Sequence, residues 1–270
     1  MKRTYFSLLC AFVGFAALVY GPPPAMAQTA PPLGLLKQFS VLGNSGVTGS
    51  TGAGTMVNGD VGSSPTASIT NFPPSSVISP FTLHTTNDLI VQQAHADAVT
   101  AYANLAAQGP GTVLPAQLNG AVLTSGIYSF TGGAADLAAA GTLTLNGPGI
   151  FVFQVTSTLT ANVGSNVIGT ADPCNVYWRV GTSATLNGSG FRGTVIADAN
   201  VTVGSGSNLT GRAIAGAGAT GAVTMAGSGG NTVGGCSTAV PGVGMAGMLI
   251  LTVLLSGAGL FAVRRRTAAI

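Results

Sequence analysis

The side chains of this 270-residue chain that could carry acid–base, nucleophilic or metal chemistry are few: 2 His, 3 Cys and 6 acidic residues, all of them Asp. His84 and His95 stand apart, with no HExxH pair to hold a zinc ion and no GxSxG turn to activate a serine. His84 reads as a loop residue, and His95 as a helix residue that is exposed or lines the core. Paired carboxylates for glycoside chemistry would require Asp136, Asp172 and Asp198, all near expected chain corners, to converge in space. Two stretches, Gly188-Ser-Gly-Phe-Arg-Gly193 and Gly216-Ala-Gly-Ala-Thr-Gly221, match GxGxxG. A dinucleotide site needs a helix to begin after the glycines and present its amides to the pyrophosphate. Strands are expected after both, so these glycines read as corners. No enzyme activity, cofactor or metal is expected.

The two ends account for the charge. Lys2 and Arg3 precede an apolar run from Leu8 to Tyr20 and the small residues Ala25-Met26-Ala27, which reads as a secretory signal peptide over residues 1–27. Gly242 to Val263 is an uncharged run of membrane-spanning length, followed by the basic tail 264–270 with Arg264, Arg265 and Arg266. It is expected to be a transmembrane or sorting helix, joined through a linker at 236–241 and making the membrane and a sorting enzyme candidate partners. Between the ends only Lys37, Arg179, Arg192 and Arg212 face six aspartates, a net charge of −2 in place of the whole chain's +3. Nucleic-acid binding needs a clustered basic patch and is excluded. Cys10 falls in the leader, leaving Cys174 and Cys236; export favours a disulfide between them over a zinc site, for which no further Cys or His lies at ligand spacing.

Charged residues make up 6% of the chain, against about 25% in an ordinary domain, so the exported surface is built from something else. From Gly141 to Val233 runs of three to five β-branched or apolar residues alternate with Gly, Ser, Asn and Asp, too short and too close for a sandwich. They group in threes, with Gly-Ser steps at Gly164, Gly188, Gly206 and Gly227. An irregular period of about one coil is the mark of a β-solenoid, whose coils bury their interior only by stacking. The expected fold is therefore all-β, an irregular three-sided solenoid over residues 28–235. One helix, at about 87–107, interrupts it, with Thr86 as cap and Gly109-Pro110 as stop. Its narrow stripe of Val91, Ala94, Ala98, Ala101 and Leu105 suits lying along a sheet. Ser63 to Thr85, with Pro65, Pro73, Pro74 and Pro80, reads as an irregular cap.

Side chains alternate in and out along a strand. With the apolar member inside, Thr158 and Thr160 point to water, then Ser183 and Thr185, then Asn200 and Thr202, then Ala222 and Thr224. Stacked coils would set these pairs about 4.8 Å apart in one direction and roughly 6.6–7 Å apart in the other. The result is an uncharged lattice of methyls and hydroxyls. Methyls favour cage-like water while hydroxyls tie those waters in place, and ice is the ligand with matching two-dimensional regularity. A solenoid adhesin or structural protein is the alternative.

The chain also resembles the DUF3494-type ice-binding proteins, the large microbial antifreeze family, from about Leu33 to Val233. The resemblance rests on Phe39-Ser-Val-Leu, Val57-Asn-Gly-Asp-Val-Gly, Phe72-Pro-Pro, Gln93-Ala-His-Ala-Asp-Ala, Gly126-Ile-Tyr, Gly149-Ile-Phe-Val-Phe-Gln, Cys174-Asn-Val-Tyr-Trp-Arg-Val-Gly and Gly211-Arg-Ala. It implies a right-handed solenoid with a long helix alongside and an N-terminal segment returning to the stack, where Thr48 would extend the threonine face. The coil around Leu137-Ala138-Ala139 is Ala-rich where relatives often place Ser or Thr. Cys174 and Cys236 would lie about three coils apart, roughly 14 Å, so Gly234 and Gly235 must turn the tail back for a bridge to close.

Overall fold

Runs this short cannot complete their backbone hydrogen bonding locally, so each pairs with the equivalent run one coil away. The computed structural model describes residues 28–238. The leader at 1–27, the end of the linker, the apolar span 242–263 and the basic tail lie outside the described residues. Among the described residues the paired strands are parallel throughout.

Three sheets result. The first has 11 strands, in the spatial order Ser76–Val77, Thr55–Asn58, Asn231–Gly234, Asn208–Ala215, Phe191–Ala197, Val176–Val180, Phe151–Val155, Gly126–Phe130 and Thr112–Leu114. Phe39–Gly43 joins it beside the later half of Asn208–Ala215, and Asp60–Ser63 pairs with Phe39–Gly43. The second sheet has 7 strands: Ala135–Leu137, Leu159–Ala161, Ala184–Leu186, Val201–Val203, Ala222–Met225, Gly46–Thr48 and Ile69–Thr70. The third has 3: Asn166–Ile168, Thr142–Leu145 and Val122–Leu123. From Thr142 the chain visits the third, first and second sheets in turn. Later coils merge two of these stations, because Phe191–Ala197 and Asn208–Ala215 each continue through a bend at Gly193 and Gly211. These two are register partners, and a Cβ on Gly211 would lie 1.9 Å from the Gly193 carbonyl oxygen.

The sheets extend beyond the Gly141–Val233 stretch that the sequence marks out. The expected irregular cap contributes Ile69–Thr70 to the second sheet and Ser76–Val77 to the first. Both are two-residue strands at sheet edges, where flanking prolines remove no ladder hydrogen bond.

The helix runs Leu89–Ala107 and is capped by Asp88, whose Oδ1 accepts from the amides of Ile90 and Val91. Thr86, the expected cap, is displaced by a residue whose charge also suits the positive end of the helix. At the other end Gln154 Nε2 donates to the carbonyls of Leu105 and Gln108 at 3.0 and 2.7 Å, tying the helix to the first sheet. The stripe Val91, Ala94, Ala98, Ala101 and Leu105 is fully buried. It packs on the outward residues of that sheet, Ile127, Val152, Tyr177, Ile196 and Ile214, together with Leu36, Phe39 and Leu42.

Residues alternating with these point into the solenoid interior. Phe153 stacks on Trp178 at 3.9 Å between ring centroids, Tyr128 follows on one side and Phe191 on the other. Fully burying such side chains contributes about 1.5–3 kcal/mol each, and where the helix covers it the first sheet is buried and apolar on both faces. The second sheet has one buried face and one open to water.

Cys174 and Cys236 are bonded, with Cα atoms 5.3 Å apart. The chain leaves the first sheet at Gly234 and turns back through Gly235, where φ is +92°, and this reversal covers the distance between coils. Arg212, buried beneath the reversal, donates to the Cys236 and Lys37 carbonyls and to Thr194 Oγ1.

Candidate functional site

The open face of the second sheet is set by alternation along each strand and by register between strands. Ala135, Leu159, Ala184, Val201, Val223 and Val47 form one file that points inward and is buried, and Ile69 extends it. The residue after each points out. Thr160, Thr185, Thr202, Thr224, Thr48 and Thr70 are consecutive register partners. Six threonines thus form one file along the sheet, about 4.8 Å apart as neighbouring strands are. Thr70 Oγ1 donates to Thr48 Oγ1 at 3.2 Å.

A second file stands beside it. Thr158, Ser183, Asn200 and Ala222 directly precede the inward residues of their strands, and Gly46 and Ser68 continue the series. Backbone amides tie two of these side chains down: Ser183 Oγ accepts from Asn200 N at 3.3 Å, and Asn200 Oδ1 accepts from Ala222 N at 2.9 Å. The two files hold every outward residue picked out from the sequence, including Thr48. Thr70 and Ser68 were missed. Their signal was the β-branched–Thr pair Ile69-Thr70, which repeats Val47-Thr48 and Val223-Thr224 but is hidden among prolines.

The coil before Thr158 departs from expectation. It is not simply Ala-rich: register places Asp136 opposite Thr160, at the threonine position of the first strand. Its Oδ2 accepts from Gln117 Nε2 at 2.8 Å and its Oδ1 from Asn162 Nδ2 at 3.0 Å. The cations of the described residues lie elsewhere. Arg179 sits over the Tyr102 ring, Arg192 donates to the Gly169 carbonyl, Arg212 is buried, and Lys37 is in the turn Gly34–Gln38.

Other candidate groups have local partners. Asp172 caps the turn Pro173–Asn175, Asp198 lies against Gly218, and Asp136 is held as described, so the three do not form a shared site. His95 Nε2 lies within hydrogen-bond distance of the Gly216 carbonyl and the Asn44 amide. His84 is wedged between Asp60 and Asp88. Phe191–Ala197 begins inside the first GxGxxG stretch and runs on past it, and Ala222–Met225 follows the second, so no helix starts at either. No cluster of three His, Cys, Asp or Glu suited to a metal occurs among the described residues, and no helix among them is long and apolar enough to cross a membrane.

A parallel sheet bearing a register-matched threonine file, backed by a sheet with a helix along it, can be compared with known proteins. A family model described as ice-binding-like matches residues 41–230. The chain belongs to this ice-binding-like family. An ice-binding protein of Nostoc sp. (strain HG1) is 37% identical over 210 residues, covering 75% of this chain and 74% of the relative. The crystal structure of an ice binding protein from an Antarctic biological consortium superposes with a TM-score of 0.68 at 38% identity, over 79% of this chain and 94% of the other. That of the ice-binding protein of the Antarctic ascomycete Antarctomyces psychrotrophicus gives 0.66 at 35% identity, over 78% and 100%. Within the ice-binding-like family, then, mostly parallel sheets and one helix are the shared frame, and this chain carries its threonine file on that frame.

Proposed function

We propose that this protein binds ice through the outer face of the second sheet, with Thr160, Thr185, Thr202, Thr224, Thr48 and Thr70 as the central file and Thr158, Ser183, Asn200 and Ala222 beside it. The observation that carries this reading is the unbroken register of six threonines on a sheet whose other face is core. The fold is read as a right-handed, three-sided solenoid, which gives that face its regular rungs. Each methyl favours ordered water around it and each hydroxyl holds one such water by a hydrogen bond. A single contact is weak, and many rigidly spaced contacts on one body act as a multivalent ligand for a repeating surface. An adsorbed protein forces ice to grow as curved fronts between bound molecules, which costs surface free energy and limits growth or recrystallisation. The activity is non-enzymatic and needs no cofactor.

The protein is exported after loss of residues 1–27, a reading supported by the leader-like sequence and by a disulfide, which persists in oxidising compartments. The apolar run 242–263 tethers it to the envelope or is removed by a sorting enzyme, so that the domain shields the cell surface, holds it to ice, or is released.

The test is ice recrystallisation and crystal shaping with residues 28–240, beside the double variant Thr185→Tyr, Thr202→Tyr checked for equal fold content. Loss of activity in the variant is expected, because two phenol rings would hold the face off the ice. Retained activity would move the site to another face. An inactive wild-type domain would favour an adhesin.

A further inference from the structure

The threonine file has two ends, and they differ. At one end Thr70 is followed by Asn71, whose side-chain amide donates to the Gly49 carbonyl at 2.9 Å, so that end is polar and uncharged. At the other end the position in register with Thr160 is Asp136, and the backbone beyond it bridges to Gln117. The carboxylate also commits its neighbours. Gln117 donates to one oxygen and Asn162 to the other, and the Asn162 amide is further tied to the Leu137 carbonyl at 2.9 Å. Asn162 directly follows Ala161 on the adjacent strand, so the charge draws in a polar group that borders the next rung.

A methyl–hydroxyl position and a carboxylate ask opposite things of water. The first accepts the geometry of a surrounding lattice. The second imposes its own shell, and stripping that shell without a compensating cation is costly. The cations of the described residues all lie off this sheet, so none of them offsets the charge when the face meets ice.

We propose that Asp136 ends the ice-binding footprint, confining it to the rungs from Thr160 to Thr70 and keeping the first strand of the sheet hydrated. This rests on the second sheet being the ice-binding face. It makes Asp136 a determinant of how long the adsorbing surface is, and predicts that the scaffold already holds a seventh rung, in register, that one side chain withholds.

The experiment compares full-length protein with Asp136→Thr, Asp136→Asn and, as a reference for the face itself, Thr185→Tyr. Thermal hysteresis and adsorption to ice are read at equal concentration, and melting temperature without ice serves as a fold control. Asp136→Thr is expected to raise hysteresis about 1.2- to 2-fold, since one more rigidly linked contact is added. Asp136→Asn, which removes the charge but not the bulk, is expected to raise it by less. If Thr185→Tyr abolishes activity while both Asp136 variants leave it unchanged or lower it, the face stands and the proposed boundary is overturned. If Thr185→Tyr is fully active, the face is elsewhere and this inference falls with it. Should Asp136→Thr fail to fold, Asp136→Asn decides alone.

Discussion

Thr48 lies directly opposite Thr224 in a parallel pair, so a strand from the beginning of the domain occupies the rung after one from its end. Val47 beneath it joins the same buried file as Val223. The threonine file is therefore completed only when the N-terminal segment docks on the last coil, with Phe39–Gly43 pairing to Asn208–Ala215 on the neighbouring sheet.

The face consequently depends on its N-terminal rungs as much as on its central ones. Thr48→Tyr leaves Val47 in the core and is expected to fold with a melting temperature near that of the parent. Its ice recrystallisation inhibition should fall about as far as that of Thr185→Tyr. Parent-like activity would show that the footprint stops at Thr224.

The disulfide should act on stability and not on the face. Cys174 and Cys236 are 62 residues apart, and closing a loop of that length is worth about 4 kcal/mol in the chain-entropy account. Replacing both by Ser is expected to lower the denaturation midpoint accordingly. Hysteresis measured well below that midpoint should be unchanged.

Arg212 is a buried cation with no carboxylate partner among the described residues, and burial pushes its guanidinium down to about 10. It stays charged at neutral pH and joins the Lys37 carbonyl, just before Phe39–Gly43, to the Cys236 carbonyl, just after Asn231–Gly234. Arg212→Ala takes the guanidinium from the Cys236 carbonyl and from Thr194 Oγ1 and leaves the Lys37 carbonyl with the Thr238 amide alone, and is expected to cost about 3 kcal/mol in denaturant unfolding. Arg212→Lys, with one ammonium in place of a fork, should recover only part of that.

His84 gives stability a pH dependence. Its hydrogen bond to Asp60 is the largest influence raising its pKa; burial opposes this, and Asp88 adds to the rise. The Asp60 contact is longer, 3.5 Å against 2.9 Å, but that carboxylate is shielded from water while Asp88 is 39% exposed. Because the folded-state pKa is raised, this stabilisation is complete below the unfolded value near 6.5 and is lost as pH rises through the folded value. Burial alone would raise Asp88, but hydrogen bonds from His84 and from the Val91 and Ile90 amides hold it below its ordinary range. Its contribution is present above the unfolded value near 3.9 and is lost as pH falls through the folded value. Melting temperature should therefore peak between these limits and decline on the alkaline side. His84→Gln should flatten that alkaline limb.

Much of this was local and so readable in the residues. Val201-Thr202-Val203 alternates with a period of two, which decides that Thr202 faces water whatever the neighbouring strand is. Val91, Ala94, Ala98, Ala101 and Leu105 share one helix face for the same kind of reason, and they are the residues buried against the first sheet. The Gly and Asn corners marked where each run ends. Periodicity assigns a side chain to a face but not to a neighbour. That Thr48 follows Thr224, that Thr70 follows Thr48, and that Asp136 stands where a threonine would continue the file are matters of register. Register between distant strands is set by how the coils fill one shared interior. The meeting of His84 with Asp60 and Asp88, and the return of Cys236 to Cys174, depend likewise on where loops close over that interior. The chain's own pattern determined a stack of coils with a threonine-bearing face; packing of the stack decided how long that face is and where it stops.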